Sequence, residues 1–174
     1  MSAPGKLLIV DDEEMYRKLL LSRLKRKNYD LLEAADGDQA IKIAQRNNID
    51  VALLDVKMPG MNGIEALEKL KEIDPNIEVL ILTGQGNIDT AISAMKAGAY
   101  DYLSKPYKLS ELDLMVSRAL EKRRLALRCA GLAAEVNHLR GRRDSEIIGV
   151  SKAWRRMAAL IKKAAPLDIP VLIT

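Results

Sequence analysis

The sequence predicts an α/β protein built on a doubly wound, five-stranded parallel sheet, followed by a long C-terminal linker helix. Three observations predict it. Between residues 6 and 107 five short strand-like runs alternate with amphipathic helical patterns. The runs at 7–10, 51–54 and 79–82 are apolar throughout, as strands of a sheet covered on both faces must be. Beyond Pro106 a helical pattern continues from Glu111 to about Arg140, too far for one docked helix of a small domain.

Leu7–Val10 forms the first strand, and Met15, Leu19, Leu20 and Leu24 recur at helical spacing behind it. Asp30–Glu33 is a thinner strand suited to an edge. Asp36-Gly37-Asp38 caps a second helix whose apolar face is Ala40, Ile41 and Ala44. Val51–Leu54 leads through a Pro59-Gly60 turn to a helix with Ile64, Leu67 and Leu70. Val79–Leu82 precedes a helix marked by Ile88, Ala91, Ile92 and Met95, which Gly98 closes. Tyr100–Ser104 is the last strand. Ser110 then caps the long helix, which turns Leu109, Leu112, Val116 and Ala119 to the sheet. Asn62-Gly63 and Gln85-Gly86-Asn87 read as mobile loops, and Arg140-Gly141-Arg142-Arg143 as a linker that ends the helix.

Composition narrows the function classes. With 48% hydrophobic but 3% aromatic residues and no Phe, the core must be aliphatic. A single cysteine, Cys129, forms no internal disulfide, which favours a reducing cytoplasm. No apolar stretch reaches the roughly 18–20 residues that span a bilayer, and residues 1–6 lack the apolar centre of a signal peptide. Residues 1–107 carry 14 Lys+Arg against 17 Asp+Glu, a net −3; residues 108–174 carry 14 against 7, a net +7. The basic half has almost no interleaved aromatic residues, so it reads as a solvated helix face rather than a nucleic-acid surface.

Five side chains lie at the C-terminal ends of the strands: Asp11, Asp12, Asp55, Thr83 and Lys105. In an open α/β sheet these ends lie side by side, where ligands bind. Three carboxylates, a hydroxyl and an ammonium at one sheet edge suit a divalent cation and a phosphoryl group. Asp55 is the expected nucleophile, and Asp11, Asp12 and Asp55 the expected ligands of Mg²⁺, a hard cation that prefers oxygen. Lys105 and Thr83 can engage phosphoryl oxygens. Crowding of the three carboxylates is expected to raise at least one of their pKa values.

Residues 6–120 resemble a bacterial response-regulator receiver domain. The resemblance rests on Val10-Asp11-Asp12-Glu13, Leu54-Asp55-Val56-Lys57-Met58-Pro59-Gly60, Leu82-Thr83-Gly84, Gly98-Ala99-Tyr100-Asp101-Tyr102 and Lys105-Pro106. Any one of these is common; the ordered set is specific. It implies a CheY/flavodoxin-like sheet of order 2-1-3-4-5, a sensor histidine kinase as donor and an acyl phosphate on Asp55. It further implies the backbone carbonyl of Lys57 as a metal ligand and a cis Lys105-Pro106 peptide. Tyr102 becomes an aromatic switch that turns inward when Thr83 moves toward phosphate.

A second apolar stripe, Leu125, Cys129, Leu132, Val136 and Leu139, repeats at 4-3-4-3 spacing. That is a heptad seam, and it predicts a homodimer through the linker helix, weakened by Gly131. Ile147-Ile148-Gly149-Val150-Ser151, the helix around Trp154–Ala164, and Ala165-Pro166 with Pro170-Val171-Leu172-Ile173-Thr174 resemble the opening of a sigma-54-activator AAA+ ATPase domain. The expected organisation is a receiver at 1–120, a helical dimerisation linker at 121–143 and a truncated N-terminal piece of the AAA+ domain at 144–174. No Walker A loop, Walker B motif or arginine finger occurs within this sequence, so ATP is expected only in the full-length protein.

The resemblances together imply a cytoplasmic, NtrC-type transcriptional activator whose full-length form meets sigma-54 RNA polymerase and DNA. A receiver joined to a different output domain is the near alternative. Two more distant classes fit less well. A phosphatase with an aspartate nucleophile would want a carboxylate where Lys57 stands. A flavodoxin-like FMN carrier would want a phosphate loop in place of Asp11-Asp12.

Overall fold

The computed structural model describes residues 4–84, 88–144 and 151–164, with 139–144 and 162–164 described in backbone only. The elements are β1 (Lys6–Val10), α1 (Glu14–Lys25), β2 (Asp30–Ala34), α2 (Gly37–Arg46), β3 (Val51–Asp55) and α3 (Gly63–Ile73). They continue with β4 (Glu78–Thr83), α4 (Ile88–Lys96), β5 (Asp101–Ser104), α5 (Leu109–Asp144) and α6 (Lys152–Ala164). The five strands form one sheet of order β2-β1-β3-β4-β5, every pair parallel, as expected. The chain divides into two compact units, Met1–Ala130 and Gly131–Thr174.

Strand alternation divides the core of the first unit in two. Leu8, Val10, Ala52, Leu54, Val79 and Ile81 pack with Ala40, Ala44, Leu67 and Leu70 of α2 and α3. Leu7, Ile9, Val51, Leu53, Leu80 and Leu82 pack with Leu20 and Leu24 of α1 and with Leu112, Val116, Ala119 and Leu120 of α5. Strands buried on both faces cannot alternate polar with apolar, which is why these runs read as continuous. β2 pairs only with β1 and keeps a polar, partly exposed character, as an edge strand does. Asp36 caps α2, accepting a hydrogen bond from the Gln39 N–H at 2.7 Å, and Gly98 ends α4 at φ +90°.

Four expectations need correction. Met15 and Leu19 are exposed; only Leu20 and Leu24 of α1 are buried. The two pairs are offset by five residues, about 140° around the helix, so only one can face the sheet. On α4 the expected stripe Ile88, Ile92 and Met95 is likewise exposed, and the buried residue is Ala94. A small side chain lets α4 approach the sheet closely, leaving its larger residues outward beside Tyr102. The long helix starts at Leu109, not Glu111. The Lys108 carbonyl accepts from the Glu111 and Leu112 N–H groups, so Ser110 lies in the first turn rather than at the cap. Nor does 140–143 break the helix, which runs through Gly141 to Asp144. One glycine costs about 1 kcal/mol, and the flanking arginines are good helix formers.

An ionic cluster ties α5 to the opposite, N-terminal edge of the sheet. Buried Arg123 donates twice to Asp74, at 2.6 and 3.2 Å, and its Nε lies 3.6 Å from Asp50. Asp50 in turn accepts from the Lys6 N–H at 2.9 Å, and Lys122 pairs with buried Glu78 at 2.9 Å. The hydrogen bonds from Arg123 hold the Asp74 carboxyl below its ordinary pKa. Stability from that pairing is present above the ordinary carboxylate range and lost as pH falls through the lowered native value. Arg123→Ala is therefore expected to lower unfolding free energy by about 2 kcal/mol at neutral pH. In urea titrations the deficit should shrink in acid; an equal deficit at both pH values would refute the pairing as its cause.

Candidate functional site: an acidic edge closed by a lysine

Parallel pairing brings the ends of β1, β3, β4 and β5 to one edge. There the Lys105 ammonium lies 2.7 Å from Asp11 Oδ2 and 2.8 Å from Asp55 Oδ1. The three side chains are 10%, 1% and 8% exposed, so the bridge is shielded from water. The second oxygen of each carboxylate is also held: Asp11 Oδ1 accepts from the Glu13 N–H and Asp55 Oδ2 from the Lys57 N–H, at 2.9 and 2.8 Å. Thr83 is buried at the end of β4, and its carbonyl accepts from the Lys105 N–H at 2.6 Å. The Lys105-Pro106 peptide is cis.

Charge and burial oppose each other here. Burial pushes the Asp55 carboxyl above its ordinary pKa. The hydrogen bond and charge of Lys105 pull it down without cancelling the rise, to which the charge of Asp11 adds. Burial disfavours the Lys105 ammonium, yet its hydrogen bonds to Asp11 and Asp55 outweigh this and hold its pKa well above the usual lysine range. A raised pKa was expected from crowded carboxylates; desolvation turns out to be the larger cause.

The structure does not gather all the expected residues. Asp12 is exposed and lines an open cleft with Val56, Lys57, Met58, Pro59 and Asn62. Tyr102 is exposed against α4, away from the bridge. Gln85-Gly86-Asn87 lie outside the described residues. Asn62-Gly63 is not a free loop: Asn62 caps α3, its Oδ1 accepting from the Ile64 and Glu65 N–H groups at 2.9 Å.

Among the described residues, no group of three or more His, Cys, Asp or Glu side chains is arranged as a metal cage. Mg²⁺ keeps several waters and binds through one or two carboxylates together with phosphate oxygens. Two buried carboxylates sharing one ammonium retain a net negative charge, and the Asp12 cleft adjoins them. The donor chemistry therefore fits a hard divalent cation.

Three site residues escaped the sequence reading. The Arg17 guanidinium donates to the backbone carbonyls of Asp11 and Asp12 at 2.7 and 3.2 Å, pinning the acidic loop to α1. The Tyr16 ring centroid lies 4.3 Å from Lys105 Nζ. Tyr107 is half-buried, and burial raises its hydroxyl pKa, with the charges of Lys105, Asp11 and Asp55 also felt there. The available signal was position: Tyr16 and Arg17 stand about one helical turn past Asp-Asp, where side chains can reach back to the loop.

Comparisons with known proteins agree with this geometry. Residues 7–117 match the response regulator receiver domain family. Over 115 residues the chain is 39% identical to sporulation initiation phosphotransferase F of Bacillus subtilis, covering 66% of this chain and 93% of that protein. It is 31% identical over 169 residues to the regulatory protein AtoC of Escherichia coli, covering 97% of this chain but 34% of that protein. The chain thus spans about a third of the length of such regulators. The crystal structure of the receiver domain of NtrX from Brucella abortus superposes with a TM-score of 0.63 at 35% identity, covering 66% of this chain and 98% of that one. The sheet order, the shared lysine bridge and these matches lead to one conclusion: the chain belongs to the response regulator receiver family, Mg²⁺-using regulatory phosphoacceptor domains that histidine kinases phosphorylate in two-component systems.

Proposed function

We propose that Asp55 is the phosphoacceptor and that its phosphorylation controls assembly of a sigma-54-dependent transcriptional activator. The observation that carries the first part is the Lys105 bridge, which fixes a buried carboxylate beside an open acidic cleft. An Asp55 oxygen attacks phosphorus in line; the new O–P bond forms as the donor's N–P bond breaks, and the leaving imidazole takes a proton. Lys105 then pairs with a phosphoryl oxygen, and Asp11, Asp12, Asp55 and the Lys57 carbonyl are the groups that would hold Mg²⁺. Bound there, Mg²⁺ supplies neutralisation of the phosphoryl charge. Acetyl phosphate with Mg²⁺ is expected to add one phosphoryl group, mapped to the Asp55 peptide and lost with EDTA. Modification elsewhere overturns the assignment.

Thr83 and Tyr102 form the switch in this reading, since Thr83 is buried at the site while Tyr102 stands exposed. Phosphate can act only by favouring one conformer, here the one with Thr83 engaged and Tyr102 inward. BeF₃⁻, a phosphoryl mimic, is expected to shift the amide resonances of both residues; binding that leaves them unmoved refutes the switch.

The linker reading assigns a homodimer to Leu125, Cys129, Leu132, Val136 and Leu139. Leu125, Leu132 and Val136 are exposed large apolar residues and Cys129 is exposed, which supports an unpartnered seam; the Leu139 side chain lies outside the described residues. Leu132, 62% exposed, is the residue to test. Leu132→Asp places like charges in the seam and should convert dimer to monomer in sedimentation with the receiver still folded. Dimerisation unchanged by it refutes the seam. Residues 144–174 are assigned to the start of an AAA+ domain on the sequence resemblance; Val171–Thr174 lie outside the described residues. Full-length relatives such as AtoC extend well past this length, which leaves room for ATP, DNA and polymerase binding outside it. No described helix is long and apolar enough to cross a membrane; a cytoplasmic location and a sensor histidine kinase as donor are assigned on the family resemblance.

A further inference from the structure

We propose that Tyr16 is a positioning residue for Lys105, its ring holding the ammonium at the junction of Asp11 and Asp55. This rests on the reading of Asp55 as phosphoacceptor and adds to it a residue outside the five that carry the chemistry.

The ring centroid is 4.3 Å from Lys105 Nζ, well inside the roughly 6 Å within which a cation is drawn to an aromatic face. Lysine carries its charge on a flexible four-carbon stem, so its aim must come from neighbours. Two of those neighbours are Asp11 and Asp55, and both are carboxylates whose charge the reaction uses. When Asp55 becomes an acyl phosphate, its attacking oxygen is esterified and the negative charge moves outward onto phosphoryl oxygens. The ammonium must follow that charge without swinging into solvent. A ring face attracts a cation whatever the state of Asp55, so it can hold Lys105 on both sides of the transfer.

The ring is itself well placed to do this. Tyr16 sits in the first turn of α1, next to Arg17, whose guanidinium is bonded to the Asp11 and Asp12 carbonyls at 2.7 and 3.2 Å. Any shift of α1 thus carries ring and acidic loop together. Tyr16 is exposed on its outer side, so its removal leaves the lysine open to water rather than opening a cavity in the core.

Three proteins test this: the wild type, Tyr16→Leu, which keeps an apolar side chain, and Tyr16→Phe, which keeps the ring. With acetyl phosphate and saturating Mg²⁺, labelling by the Leu variant is expected to fall about fivefold, the size of a surface cation–π contact. The Phe variant should return within about twofold of wild type. Because Lys105 holds no metal, Mg²⁺ affinity without donor should stay unchanged in all three. The Lys105 ε-methylene protons should show an upfield ring-current shift in wild type and Phe, absent in Leu. Labelling of Tyr16→Leu at the wild-type rate, a Phe variant as slow as Leu, a parallel loss of Mg²⁺ affinity, or no ring-current shift in wild type would each overturn the proposal. Absence of labelling at Asp55 in the wild type instead overturns the phosphoacceptor reading; the ring-current shift still reports on Tyr16 alone.

Discussion

Asp55→Asn is expected to reduce acetyl-phosphate labelling to background while leaving the fold intact. The amide has the shape of the carboxylate and can still accept from the Lys57 N–H, so the loop after β3 keeps its anchor. What it lacks is an ionised oxygen able to attack phosphorus. The same substitution has a second expected consequence. A carboxyl whose native pKa is raised contributes stability below its ordinary range, and that contribution is lost as pH rises through the native value. At neutral pH the ionised Asp55 therefore weighs against the folded state. Without Mg²⁺, Asp55→Asn should melt above wild type at neutral pH, and the gap should narrow in acid. A variant that labels normally would remove Asp55 from the chemistry; one that melts lower at neutral pH would show that Lys105 outweighs burial.

The second large effect is expected from Gly63→Ala. A Cβ at that position would stand 2.1 Å from the Asp55 carbonyl oxygen and 2.9 Å from the Val56 Cα. Both are backbone atoms, so nothing nearby can rotate away. The first turn of α3 packs this closely because the Gly63 N–H donates to the Val56 carbonyl at 3.0 Å. Overpacking against rigid neighbours costs about 3 kcal/mol. At about 4 °C per kcal/mol, between the values for smaller and larger domains, the melting temperature should fall by about 12 °C. Labelling should also slow, since the displaced backbone is that of Asp55 itself. Thermal unfolding within a few degrees of wild type would show that α3 can slide outward at little cost.

Gly63 also marks where sequence reading ends. Asn62-Gly63 has the composition of a loose turn, and nothing local reveals that β3 passes directly behind it. The cap of α2 within Asp36-Gly37-Asp38, by contrast, was legible because capping needs only the following three residues, and the structure gives the role to Asp36. The same distinction runs through α1 and α4. Helical spacing predicted that both helices form, yet Met15, Leu19, Ile88 and Ile92 are exposed. Periodicity defines an apolar stripe; which side meets the sheet depends on how closely the backbones approach.

Five strands, their parallel pairing and the set Asp11, Asp55, Thr83 and Lys105 at one edge were determined by the sequence alone. Each follows from short-range rules: continuous apolar runs, helical spacing between them, and polar residues where the runs stop. Only the tertiary structure decided the partners of those residues. The Lys105 ammonium between Asp11 and Asp55, the Tyr16 ring against it and Arg17 on the loop carbonyls join groups from separate elements. So does the Arg123 clasp on Asp74, across 49 positions of chain. Such contacts are chosen by the packing of helices on the sheet, and no local pattern encodes a distance between side chains so far apart in the chain.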